Sequence, residues 1–331
     1  MSEQKKIALI GSGSWATAIA KILHANVDML YWYVREKEVV EGIQEHNRNP
    51  LYLSNVKFNT DVLFLTNDPN EAIKNADVVL FCVPSKFIVS LTDLITEDLS
   101  NKKIITAIKG IVPEQNSLIS DFLQRKFNVR VDSIAVISGP CHAEEVALER
   151  QSYLTIGSKN SEFAHEIARV LSVYFIKTSV SCDVAGIEYA AVLKNIMALA
   201  TGISHGLGYG DNFTSVLIAN AIQEIERFVS VASPEKREIN ESVYLGDLLV
   251  TAYSQFSRNR LFGMMIGKGY SVNSAELEMN MIAEGYYAVN SITKINANYG
   301  VSMPITHAVY NILYDRISPS MEFKILAESF R

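Results

Sequence analysis

Lys5-Lys6-Ile7-Ala8-Leu9-Ile10 leads into Gly11-Ser12-Gly13-Ser14-Trp15-Ala16, and an apolar-periodic run follows from Thr17 to Leu23. The spacing predicts a short buried strand, a glycine turn and a helix. Gly11 permits the tight turn, and Gly13 lets a pyrophosphate approach the backbone without meeting a Cβ. The helix behind the turn aims unpaired N–H groups and the positive end of its dipole at the phosphates. Ala16 fills the third motif position, where only a small residue lets helix and strand pack closely. The turn is a candidate dinucleotide site.

Working outward, strand and helix signals alternate through the first half. Strands are predicted at Ile7–Ile10, Met29–Val34, Val78–Val83, Ile104–Ala107 and Ile134–Ser138, with helical patterns between them. Tyr153–Gly157 and Tyr174–Ser179 are expected to extend the sheet. Short, β-branched strands that are apolar on both sides indicate a mostly parallel, doubly wound sheet covered by helices on both faces. After Asp183 strand-like runs vanish and long helical patterns take over. The expected organisation is an α/β dinucleotide-binding domain over residues 1–182, followed by an all-helical domain over residues 183–331.

Composition narrows the partners. The 331 residues carry a net charge of −6 and no basic stripe, which argues against nucleic acid. No wholly apolar run approaches the ~20 residues of a membrane span. The N-terminal residues are expected to lead straight into a strand, and no signal peptide is expected. Three cysteines without C-x-x-C spacing read as reduced thiols of a cytoplasmic protein, and no metal site is expected.

Chemistry-bearing residues cluster at strand ends and in the helical half. About 20 residues past the glycine turn, a dinucleotide fold places the side chain that reads the adenosine ribose. Arg35 and Glu36 stand there together. The acid suits a 2′-hydroxyl and the arginine suits a 2′-phosphate, and Arg35, first at the strand end, tilts the reading towards NADP(H). Lys109 sits at the carboxyl edge of a strand. Ser138-Gly139-Pro140-Cys141-His142 joins a strand end to a helix start, a possible second anion pocket. Lys194 and Asn195 interrupt an otherwise apolar helix, where desolvation lowers a lysine's pKa towards the range useful for proton transfer. Asp247 suits either orienting a lysine or accepting from a substrate hydroxyl, and Arg258 offers a planar fork for a phosphate.

Together these segments resemble the NAD(P)-dependent glycerol-3-phosphate dehydrogenases of the bacterial biosynthetic type. The resemblance rests on Gly11–Trp15, Lys109-Gly110, Ile137–Pro140, Val192-Leu193-Lys194-Asn195, Leu245–Leu248, Ser257–Arg260, Glu284-Gly285 and Met303–Ile305. It implies a Rossmann-type domain followed by a helical domain. It also implies reduction of dihydroxyacetone phosphate to sn-glycerol 3-phosphate for phospholipid synthesis, by a cytoplasmic homodimer using NADP(H) or NAD(H).

Carried over by position, Lys194 is the general acid/base, with Lys109, Asn195 and Asp247 beside it. Lys109, Gly139, Cys141, Lys194, Asp247, Ser257, Arg258 and Asn259 match substrate contacts. Ser14, Trp15, Arg35, Lys109, Ala143, Arg258, Asn259, Ile282 and Glu284 match cofactor contacts, alongside Gly11 and Gly13. Cys141, His142 and Glu144 depart from the family's hydroxyl, aromatic and lysine residues. Ala219-Asn220-Ala221 replaces a usual Arg-Gly pair. Two rivals share the motifs: a dehydrogenase for hydroxy acids, acyl-CoA or sugar acids, and a nucleotide sensor without turnover.

Overall fold

The computed structural model describes residues 6–279 and 283–330. Among them the extended segments are β1 (Ile7–Ile10), β2 (Leu30–Tyr33), β3 (Leu63–Thr66), β4 (Val78–Phe81), β5 (Lys103–Thr106), β6 (Ile111–Val112), β7 (Ser117–Leu118), β8 (Ile134–Ser138), β9 (Ser152–Ser158) and β10 (Ile176–Ser181). Eight of them form one sheet in the order β10-β9-β8-β5-β4-β1-β2-β3, while β6 and β7 make a separate antiparallel hairpin. Neighbours in the large sheet are parallel except β8 and β9. The order reverses between β1 and β4, the switch point where open α/β sheets bind ligands.

Two compact units emerge. The first comprises the residues through Ile108 together with Ile119–Val184. Its helices are α1 (Ser14–His24), α2 (Lys37–His46), α3 (Pro69–Lys74), α4 (Ile88–Asp93), α5 (Ile119–Phe127), α6 (Ala143–Ala147) and α7 (Ser161–Leu171). Every residue of β1 and β4 is buried, as covering both faces of a parallel sheet requires. Ile10 lies in register with Tyr33 and with Phe81, so β1, β2 and β4 end at one level and the glycine turn leaves at that edge.

The second unit takes Lys109–Leu118, which holds the β6–β7 hairpin, and the chain from Ala185 onward. A single cut after residue 182 therefore misses one crossing: Lys109 clusters with the helical half. Its helices are α8 (Val184–Gly206), α9 (Asp211–Ala232), α10 (Asp247–Tyr253), α11 (Arg258–Gly267), α12 (Val272–Glu278), α13 (Glu284–Asn296), α14 (Pro304–Leu313) and α15 (Pro319–Ser329). By length and composition α8 could cross a membrane, yet 89% of its most apolar window is buried inside the protein. It is a core helix, apolar all round because neighbours surround it.

Glycine pairs spaced four apart bring α8 and α11 together. A Cβ on Gly202 would lie 2.1 Å from the Arg260 carbonyl oxygen, and one on Gly263 would lie 2.2 Å from that of Leu199. Gly206 and Gly267 repeat the contact one turn on, each 2.4 Å from the opposing carbonyl. No side chain fits between these backbones. Glu224 on α9 makes a second tie, accepting from the backbone N–H groups of Ile305 and Thr306 at 2.8 and 2.9 Å. A carboxylate from another helix thus caps α14, whose own N-cap Met303 has no acceptor to offer.

Candidate active site

In the first unit the glycine turn is held from several sides. The Trp32 indole N–H donates to the Gly11 carbonyl at 2.7 Å. Asn49 donates to the Ser12 carbonyl at 3.3 Å and to Thr17 Oγ1 at 2.9 Å, and Thr17 Oγ1 donates to the Gly13 carbonyl at 3.0 Å. Gly11 has φ +139°, and a Cβ there would lie 2.1 Å from the Cys82 carbonyl oxygen. It is needed for close approach to β4 as well as for the turn. A Cβ on Gly13 would meet nothing within 4 Å, so the space above it is open. Gly13 caps α1 with no side chain to accept from its first N–H groups, and no acid stands in the first turn. These features fit a pyrophosphate.

Ser14 and Ala16 are buried and Trp15 is half-buried against the core of this unit. Arg35 points outward and donates to its neighbour, through Nε and Nη2, to Glu36 Oε1 at 3.1 and 2.6 Å. Glu36 in turn accepts from the Ser12 hydroxyl. Burial pushes the Glu36 carboxyl up, but the hydrogen bonds from Ser12 and Arg35 outweigh it and hold the group below the usual carboxylate range. The Arg35 guanidinium carbon also lies 5.9 Å from the ring centre of Phe87, an exposed aromatic.

Gly139 has φ +134°, and a Cβ there would lie 2.5 Å from the Tyr153 carbonyl oxygen. Cys141 and Ala143 are buried next to it. The second anion pocket expected here is poorly supported. Helix α6 has only five residues, and its first turn carries Glu144 and Glu145, which oppose a phosphate.

The second unit gathers Lys109, Lys194, Asn195 and Asp247. Lys194 is 4% exposed and Asp247 1%, and the Lys194 ammonium donates to Asp247 Oδ1. Lys109 Nζ lies 3.8 Å from the other oxygen of Asp247. The Asn195 amide donates to the Lys109 backbone carbonyl at 3.0 Å, fixing the segment that carries that lysine. Asp247 opens α10 after a π-helical turn over Ser242–Gly246. Desolvation lowers the Lys194 pKa, Asp247 raises it and Lys109 lowers it again, leaving it at about 7. A proton can therefore be given or taken near neutrality.

Ser257 caps α11 by accepting from the Arg260 N–H at 3.3 Å, which sets Arg258 in the first turn. Asn259 is buried, and its side-chain oxygen accepts from the Gly285 N–H at 2.9 Å. It caps α13, whose N-cap Ala283 cannot. A Cβ on Gly285 would lie 2.6 Å from the Asn195 carbonyl oxygen, so the start of α13, with half-buried Glu284, seats directly on α8. Ile282 lies outside the described residues. Asn220 sits on the exposed face of α9, donating to the Val216 carbonyl at 2.9 Å. Among the described residues no three His, Cys, Asp or Glu side chains group to hold a metal ion.

Comparison with known proteins points to one family. Residues 6–164 match the family model for the NAD-dependent glycerol-3-phosphate dehydrogenase N-terminus, and residues 183–324 match that for the C-terminus. The chain is 34% identical over 314 residues to a glycerol-3-phosphate dehydrogenase [NAD(P)+] of Bacillus subtilis, covering 94% of this chain and 90% of the relative. It is 35% identical over 325 residues to the protein of that name from an Exiguobacterium species, covering 97% and 94%. A crystal structure of glycerol-3-phosphate dehydrogenase from Coxiella burnetii superimposes with a TM-score of 0.89 at 29% identity, covering 98% of this chain and 99% of that one.

Proposed function

This chain belongs to the NAD-dependent glycerol-3-phosphate dehydrogenase family, and from that premise we propose how its residues divide the work. The enzyme is an oxidoreductase that reduces dihydroxyacetone phosphate to sn-glycerol 3-phosphate with NAD(P)H. The Gly11–Gly13 turn and the start of α1 would hold the dinucleotide, which when bound would provide the hydride for C2 of the ketone. Lys194 gives its proton to the oxygen that gains charge at C2, and takes one back in the reverse direction. Asp247 holds and orients that ammonium. Lys109 adds a second positive charge for the oxyanion, and Asn195 fixes Lys109 through its backbone. Arg258 clamps the substrate phosphate with its fork, setting the reacting carbon in place.

The observation that carries this reading is the buried ammonium of Lys194, paired with Asp247 and neighboured by Lys109. We also assign the enzyme to the cytoplasm, as a homodimer that supplies the glycerol backbone of phospholipids. Cys82, Cys141 and Cys182 form no disulfide with one another, which suits a reducing compartment. Oxidation of NADH and NADPH on adding dihydroxyacetone phosphate, against a panel of keto acids and unphosphorylated ketones, tests the activity. Turnover confined to the phosphorylated ketone supports it, and turnover confined to a keto acid overturns it.

A further inference from the structure

We propose that Glu36 reads the adenosine ribose and makes this chain select NADH over NADPH. The proposal rests on the dinucleotide-dependent reaction above and names what sets its cofactor preference.

Position comes first. Strands β1 and β2 end in register, so the residues after Tyr33 pass beside the glycine turn. Ser12, the residue between the two glycines, donates to Glu36 Oε2 at 2.5 Å. Glu36 is thereby tethered to the loop that faces the pyrophosphate, where a dinucleotide fold places the ribose. The second oxygen is held by Arg35 through Nε and Nη2 at 3.1 and 2.6 Å. The carboxylate is ionised and fixed in place before any ligand arrives.

Chemistry then separates the two cofactors. A ribose 2′-hydroxyl donates to a carboxylate, a charge-assisted bond. A 2′-phosphate brings like charge against a partly desolvated anion. The arginine that would compensate is already committed to Glu36 on one side and lies over the Phe87 ring on the other. Its side chain is 67% exposed, so a phosphate drawing it away from Glu36 gains only a screened surface pairing. Arg35 comes first in the sequence, yet Glu36 is the group aimed at the turn.

Calorimetric titration of the full-length protein with NADH and with NADPH tests the assignment without relying on turnover. The wild type is expected to bind NADH at least about tenfold more tightly. Glu36→Gln, with its fold checked by circular dichroism, should narrow that ratio by about tenfold. Arg35→Ala should weaken both cofactors by the same factor. Equal or tighter NADPH binding by the wild type overturns the proposal, as does an unchanged ratio in Glu36→Gln. Loss of NADPH binding alone in Arg35→Ala also overturns it. If Glu36→Gln fails to fold, the wild-type ratio and Ser12→Ala decide: losing the tether must weaken NADH more than NADPH. If dihydroxyacetone phosphate is turned over with neither cofactor, the activity reading fails while the binding ratio still judges Glu36.

Discussion

Lys194 and Asp247 form a buried ion pair in which the ammonium donates directly to the carboxylate, fifty-three residues away along the chain. The two groups come from α8 and from the start of α10. Lys109 approaches the same carboxylate from the segment before the β6–β7 hairpin. Two cations thus share one anion, and burial lowers the pKa of Lys194 to about 7. Reduction needs Lys194 protonated, so kcat/KM for dihydroxyacetone phosphate should fall as pH rises through about 7. Oxidation of glycerol 3-phosphate needs the neutral amine and should rise through the same region.

The neighbours should move that limb in opposite directions. Asp247→Asn removes the charge that raises the Lys194 pKa, so the limb shifts to lower pH. Lys109→Met removes a charge that lowers it, so the limb shifts to higher pH. Both variants lose rate, but only the limb position reports the coupling. Shifts of the same sign in full pH–rate profiles would contradict the shared-anion arrangement.

Asn259 has a structural duty independent of any ligand. Its oxygen satisfies an N–H in the first turn of α13 that Ala283 cannot reach. Asn259→Ala should lower the stability of the ligand-free protein by about 0.5–2 kcal/mol, measured by denaturant unfolding. An unchanged midpoint would reduce Asn259 to a ligand contact.

Glu224 should matter more. Its carboxylate accepts from Ile305, Thr306 and the Thr306 hydroxyl while buried. Glu224→Gln leaves part of that set unmatched and should cost about 1–3 kcal/mol. Burial raises the Glu224 pKa above its ordinary 4.5 despite those donors. The native chain then holds this proton more tightly than the unfolded chain. Its stability relative to Glu224→Gln should decline as pH rises from that value through the raised pKa, then level off. Thermal midpoints of both proteins across the acid range check the sign.

Gly263→Ala sets two effects against each other. Alanine favours a helix by about 1 kcal/mol over glycine. Its Cβ, however, would lie 2.2 Å from a backbone oxygen that cannot yield without separating α8 from α11. Overpacking of this kind costs about 1–3 kcal/mol, so a net loss of stability is expected. A stabilised variant would mean the two helices part easily.

The sheet was legible because its central strands are buried on both faces and read as unbroken apolar runs. β3 was not: Leu63 and Leu65 are half-buried and Phe64 is exposed on an edge strand, so neither period nor polarity marks it. The reversal of β9 against β8 leaves no local signal, since strand direction is a property of the connection. Lys194 was visible as a lysine where burial is costly. Asn49, Trp32 and Phe87 were missed, because each acts on the glycine turn or its neighbours from distant sequence. Arg35 and Glu36 were readable as a pair, but only side-chain direction separates them.

The central claim is that Lys194 moves the proton. The most direct measurement is the pH dependence of kcat/KM for dihydroxyacetone phosphate in the wild type and in Lys194→Ala. The wild type should show a descending limb near 7. The variant should lose about 10²–10⁴-fold in rate and lose that limb with it. Near-normal turnover by Lys194→Ala, with the limb unchanged, would contradict the account.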